Sequence, residues 1–221
     1  MKDNLIHVYF MPGMAASSKI FEYIRLPESQ FQIHYLEWIL PLKDEALDAY
    51  ALRMTTFINH DNVVLIGVSF GGVLVQEMSK HIKVRKIIIV SSVKSMNELP
   101  KKMLFARTTL AYKLVPMQWV SHIEQLSKYA FGSTIKKRLE LYKKYLSVND
   151  SIYLSWALKQ MVCWSQEVYP QNMVHIHGNK DVVFPIKNIT NCRMIKGGTH
   201  IMIITKYKWF NENLPRIILE N

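Results

Sequence analysis

Cysteine is scarce in this chain. Only Cys163 and Cys192 occur among 221 residues, far apart and in no CxxC pair, which argues against a disulfide scaffold and a thiolate zinc site. Long hydrophobic runs are missing too. None reaches the roughly 18 to 20 residues needed to span a bilayer, so an integral membrane protein is not expected. The amino-terminal "MKDNLIHVYFMPG" has no signal-peptide layout, because Asp3 interrupts its charged part and its apolar part reads as a strand. A cytoplasmic location is expected, and the glycosylation-type triplets at Asn149 and Asn188 then read as chance. Internal repeats and low-complexity segments are absent as well.

Acidic residues are the other shortage: 17 Asp and Glu face 28 Lys and Arg, a net charge of +11. The segment from Lys94 to Ser165 supplies +8 of this. Such an excess can attract nucleic acid, anionic lipid or an acidic substrate. Its longest basic run is only "KKR", and no nucleic-acid motif accompanies it. It therefore reads as the solvated face of helices, with no nucleic-acid partner. Peripheral contact with an anionic surface is the weaker alternative.

What the chain has is an alternation. Near-continuous apolar runs at 5–10, 62–67, 86–92 and 173–178, a longer run at 31–39 and a short one at 192–196 read as six strands, several of them buried on both faces as in parallel sheets. Helical patterns at 17–24, 42–60 and from Gly71 onward separate the first four. In the second helical pattern Leu47, Tyr50, Met54, Phe57 and Ile58 recur at helical spacing, with Asp44 and Glu45 near its amino end. The fold class implied is α/β, a mostly parallel open sheet with helices on both faces. Residues 94–170 interrupt the alternation with Met-, Tyr- and Trp-rich helical patterns broken near Pro100, Pro116, Gly132 and Asn149. They read as an insertion of functional size between a core of 1–93 and 171–221.

The third strand ends in "GVSFGG". A strand that turns at once into a helix makes a sharp corner, and its corner residue needs an unusual backbone angle. Gly67 and Gly71, two before and two after Ser69, let strand and helix pass closely. The corner lifts the serine above the sheet edge and sets it at a helix amino terminus, where free N–H groups favour negative charge. The pentapeptide alone is a weak signal; the apolar strand before it and the amphipathic run after it give it context.

A serine hydroxyl needs a base. His7 and His34 fall in predicted strands, His60 and His81 at helix ends and His122 in the insertion, so each reads as structural. His175 and His177 alternate on a strand without a third metal ligand. His200, in "IKGGTHIMII", stands on a glycine-containing loop after the last strand, and "HIHGNKDVVFP" puts Asp181 just beyond the fifth. Loops at the carboxyl ends of strands are where open α/β sheets bind ligands. The fourth strand is followed by "VSSVKS", which has no acid, and Asp150 in the insertion is the rival carboxylate.

These residues resemble the α/β-hydrolase family over nearly the whole chain: the "GVSFGG" corner, the "HGNKD" acid loop, the "GGTH" base loop and a cap-sized insertion before the acid strand. The resemblance extends to "YFMPGM", where Pro12 replaces the histidine usual in the family and Met14 takes the place of an oxyanion N–H donor, with Gly13 and Ala15 as alternatives. It implies a helical cap and a serine hydrolase, with Ser69 as nucleophile, His200 as base, Asp181 orienting the base, and the N–H groups of Phe70 and Met14 binding the oxyanion. No metal and no organic cofactor is implied. Tyr112, Met117, Trp119, Trp156 and Trp164, along with Phe105, Tyr129 and Phe131, would line an apolar pocket under the cap. The expected substrate is a small acyl or aryl ester, with an acidic group as a further guess from the basic cap. Thioester, peptide or carbon–carbon bond hydrolysis on the same scaffold, and a ligand-binding protein without turnover, are the alternatives.

Overall fold

The computed structural model describes residues 5–114 and 144–220. Six strands, β1 (Ile6–Met11), β2 (Phe31–Tyr35), β3 (Val63–Val68), β4 (Lys86–Val90), β5 (Met173–Gly178) and β6 (Arg193–Ile195), form one sheet in the order β2-β1-β3-β4-β5-β6. Every pairing is parallel. β1, β3 and β4 are buried along their whole length, whereas β2 and β6, at the edges, each bury a minority of residues. That contrast is why the inner strands carry unbroken apolar runs.

Side chains alternate across the sheet, so each strand feeds two cores. Tyr9, Met11, Leu65, Ile87 and Ile89 pack on α1 (Leu47–Thr55) and α2 (Phe70–Met78). Val8, Phe10, Ile66, Ile88 and Val90 face the other way, towards Met202 and Ile203 of α5 (Met202–Thr205) and Phe210, Leu214 and Ile217 of α6 (Tyr207–Leu219). Burying each such aliphatic or aromatic side chain contributes about 1.5–3 kcal/mol before the entropy of ordering is counted. Between β4 and β5 lie α3 (Lys101–Thr108) and α4 (Ser151–Cys163). α3 begins after Pro100, and α4 is capped by Asp150, whose carboxylate accepts from the N–H groups of Ile152 and Tyr153, both at 2.9 Å. Among the described residues no helix is long and apolar enough to cross a membrane.

Several elements are shorter than their patterns, β4 and β6 by two residues each and three others by more. β2 stops at Tyr35 rather than 39, because Trp38 turns away to stack on Phe70 at 5.2 Å and donate to the Gly13 carbonyl at 2.9 Å. The helix expected over 42–60 is confined to Leu47–Thr55. Asp44 takes a positive φ of 55° in the preceding turn, and the Glu45 carboxylate is held by the Leu42 N–H and the Arg53 guanidinium instead of capping the helix. The pattern at 17–24 yields only a 3-10 turn, Ser18–Phe21.

Candidate active site

Ser69 follows β3 and immediately precedes α2, with φ 53° and ψ −121°. Holding a non-glycine residue there costs on the order of 1–3 kcal/mol. The surroundings hold it in place: its N–H donates to Val90 O at 2.9 Å, and its carbonyl accepts from Gly72 N–H at 2.9 Å and Ser92 Oγ at 2.7 Å. The corner closes only without side chains. A Cβ on Gly67 would lie 2.6 Å from Gly72 Cα, and one on Gly71 would lie 2.6 Å from Met11 O and closer still to Pro12 O.

Asp181 sits on the loop after β5 and is 4% exposed. Its Oδ1 accepts from the N–H groups of Val183 and Phe184, both at 2.9 Å, and its Oδ2 lies 2.9 Å from His200 Nδ1. The other ring nitrogen, His200 Nε2, lies 3.0 Å from Ser69 Oγ. Burial would raise the Asp181 pKa, but the charge and hydrogen bond of His200, with the Phe184 N–H, outweigh it and hold the carboxyl below its ordinary value. Alcohol, imidazole and carboxylate thus form one row, built from the loops after β3, β6 and β5. Asp150, the rival acid, is committed to the α4 cap.

One supporting residue was not singled out as part of the site. His177 on β5 is fully buried and its Nε2 meets Phe184 O at 2.8 Å. A carbonyl only accepts, so Nε2 carries the proton, and the bond secures the turn that carries Asp181. The signal available was its place on the strand leading directly into the acid loop.

Phe70 opens α2, so its N–H has no carbonyl one turn before it within the helix. Met14 lies in a turn closed by Ala16 N–H to Gly13 O at 3.0 Å, and Met14, Phe70, Ser69 and His200 all line one cavity of about 200 Å³. Its walls are almost wholly apolar, with Ile20, Met103, Tyr145, Leu158, Met161 and Ile204 among them. No Lys or Arg is among its described lining residues.

The described aromatic residues expected to line the pocket lie elsewhere. Trp156 packs on Tyr50 with ring centroids 4.3 Å apart and donates to Glu45 O at 2.7 Å. Trp164 donates to Glu77 Oε1 at 2.7 Å. Each indole N–H must find an acceptor when buried, and both acceptors lie on the α1–α2 side of the sheet. Tyr112 and Phe105 are not among the cavity's lining residues either, and Phe105 is exposed. Met117, Trp119, Tyr129, Phe131 and His122 lie outside the described residues. The segment between β4 and β5 does line the cavity, but through Met103, Tyr145, Leu146, Leu158 and Met161.

No protein-family model matches the chain, and no curated protein sequence matches it. Solved structures do. An esterase from Exiguobacterium antarcticum is similar with a TM-score of 0.70 and 18% identity over 97% of this chain and 92% of that one. A bromoperoxidase from Bacillus anthracis gives 0.70 and 17% over 98% and 92%. A hydrolase from Oleispira antarctica gives 0.67 and 15% over 98% and 92%. At these identities the likeness defines the fold: the chain has the α/β-hydrolase fold, which it shares with this esterase, this bromoperoxidase and this hydrolase.

Proposed function

We propose that the protein is a carboxylesterase-like serine hydrolase that cleaves a small, largely apolar acyl or aryl ester through an acyl-enzyme, in the cytoplasm. The observation that carries this reading is the row from Ser69 Oγ through the His200 ring to Asp181 Oδ2, with separations of 3.0 and 2.9 Å. His200 Nε2 takes the Ser69 proton as the oxygen attacks the acyl carbon. Asp181 keeps the Nδ1–H tautomer and balances the imidazolium. The N–H groups of Phe70 and Met14 receive the oxyanion, and losing one such donor typically costs about 10²–10³ in rate. The ester C–O bond breaks as His200 Nε2 passes the Ser69 proton to the departing alcohol, and water, activated by the now neutral histidine, then releases the acyl group as an acid and restores Ser69.

The cavity supports an ester over a peptide. A peptide would bring backbone donors and acceptors into walls that offer almost no polar partner, and unpaired buried polar groups are costly. The absence of Lys and Arg from the described lining gives an acidic substrate group no support. The segment between β4 and β5, which contributes five side chains to the cavity, would act as the cap.

Labelling by a fluorophosphonate tests the reading. The wild-type chain takes up one equivalent and Ser69→Ala takes up none. With a series of straight-chain aryl esters, kcat/KM rises by about fourfold per added methylene, the equivalent of ~0.8 kcal/mol, until the cavity is full. Labelling of Ser69→Ala at the wild-type rate would reject the nucleophile.

A further inference from the structure

Three histidines the row does not use converge at the β2 edge of the sheet. His7 and Tyr9, two apart on β1, project from the same face, and His34 is the register partner of Tyr9 on the edge strand β2. His60 reaches them from the loop between α1 and β3. It stacks on His7 with centroids 3.8 Å apart, while its centroid lies 4.6 Å from that of His34. His7 Nδ1 and His34 Nε2 are 3.0 Å apart, and one ring nitrogen from each of the three residues lies within 4.8 Å of the other two.

We propose that His7, His34 and His60 form a binding site for a divalent transition-metal cation of the zinc class. Three imidazoles with no thiolate suit zinc, nickel or copper rather than magnesium or calcium. In a tetrahedral zinc site with Zn–N of about 2.0–2.1 Å, ligand nitrogens stand about 3.4 Å apart, so the cluster needs ring rotations and small shifts. The proton held between His7 Nδ1 and His34 Nε2 moves to a far ring nitrogen as the cation takes its place.

The surroundings fit a cation. His34 and His60 border a cleft of about 380 Å³ with Glu37 on its wall and no Lys or Arg among its described lining residues. His60 Nδ1 meets the Tyr9 hydroxyl at 2.6 Å, and that oxygen also accepts from Asn59 N–H at 3.3 Å. This outer contact orients the ring and leaves Nε2 of His60 for the metal. The cleft shares no lining residue with the Ser69 cavity, so the site is separate from the proposed chemistry. A bound cation would tie the edge strand β2 and the α1–β3 loop to β1.

The test is calorimetric titration of the chelator-treated full chain with Zn²⁺, followed by X-ray absorption at the zinc edge. We expect one zinc per chain, nitrogen donors at roughly 2.0–2.1 Å and no sulfur. His60→Ala, at an exposed position, and His34→Ala each weaken binding at least about 100-fold with the circular dichroism unchanged. The double variant Cys163→Ser/Cys192→Ser and the variant His200→Ala bind as the wild type does. No saturable binding, binding that survives both His60→Ala and His34→Ala, or binding lost in His200→Ala would each overturn the proposal.

Discussion

Asp181→Asn isolates what the carboxylate contributes without changing its volume. Oδ1 accepts from two backbone N–H groups, so the asparagine carbonyl must take that place and its NH₂ must occupy the Oδ2 position facing His200. A donor now meets Nδ1, so Nδ1 becomes the acceptor and the ring proton moves to Nε2. There it points at Ser69 Oγ, 3.0 Å away, and the ring cannot accept the serine proton. The imidazolium formed during attack also loses its counter-charge. Two unit charges about 4 Å apart are worth ~4 kcal/mol at an effective dielectric constant near 20, close to three decades of rate. With the tautomer penalty added, kcat should fall by about 10³–10⁴, in line with the same change in a serine protease triad. KM should change by less than about threefold, because Asp181 is not among the cavity's lining residues. The assay is steady-state hydrolysis of a short aryl ester together with the second-order rate of fluorophosphonate labelling, with circular dichroism to check the fold. A folded variant within about thirtyfold of wild-type kcat would refute the roles assigned to Asp181 and His200.

Gly71→Ala pushes a methyl into backbone, 2.6 Å from Met11 O and nearer to Pro12 O. It should cost about 1–3 kcal/mol in chemical denaturation and slow labelling, because the loop it displaces carries Met14. Gly13→Ala meets nothing nearer than Ser69 Cβ at 3.3 Å and should cost less than about 1 kcal/mol in the same assay. Burial, then His177 and Lys94, lower the His175 pKa from 6.5 to about 3. The unfolded chain therefore takes up a proton below about pH 6.5 that the folded chain refuses, and stability present above that pH is lost as pH falls towards about 3. His175→Gln should remove about 3 kcal/mol of the stability loss between pH 7 and pH 4, and parallel pH profiles for the two chains would count against it. Asp181, held below 3.8, has the same sign: it stabilises the fold above the ordinary carboxyl range and loses that contribution in stronger acid.

Where backbone chemistry dictates the outcome, the sequence was informative. The apolar runs 62–67 and 86–92 read as strands covered on both faces, and the structure has buried strands at Val63–Val68 and Lys86–Val90. Two glycines around Ser69 mark a corner that any side chain would jam, and the loops after the fifth and sixth strands supplied an acid and an imidazole that the structure brings to that serine. Tertiary choices were less legible. Periodicity says that Trp156 faces something apolar, but its partner is decided by where an indole N–H finds an acceptor, here Glu45 O across 111 residues of chain. Asp44 and Glu45 read as a helix start because their charge suits one, yet Glu45 is drawn to Arg53. The three-histidine cluster depends on strand register and a loop path, neither of which leaves a short-range pattern.

The row at Ser69 follows from one property of a parallel sheet. Its two ends are chemically different, because all strands leave in the same direction. At the carboxyl end the loops after β3, β5 and β6 bring an alcohol, a carboxylate and an imidazole together, and the strain at Ser69 is held by bonds to the neighbouring strand β4 and to its own helix. Those bonds fix the corner by the fold itself, which is the preorganisation that stabilising a developing charge calls for. The histidine cluster is held by bonds between side chains, His7 to His34 and His60 to Tyr9, on β1, an edge strand and a loop. A cation there would supply by coordination what hydrogen bonds supply at Ser69. Zinc-dependent protection of β2 and the loop around His60 against hydrogen exchange, with the Ser69 corner unchanged, is the pattern this division requires.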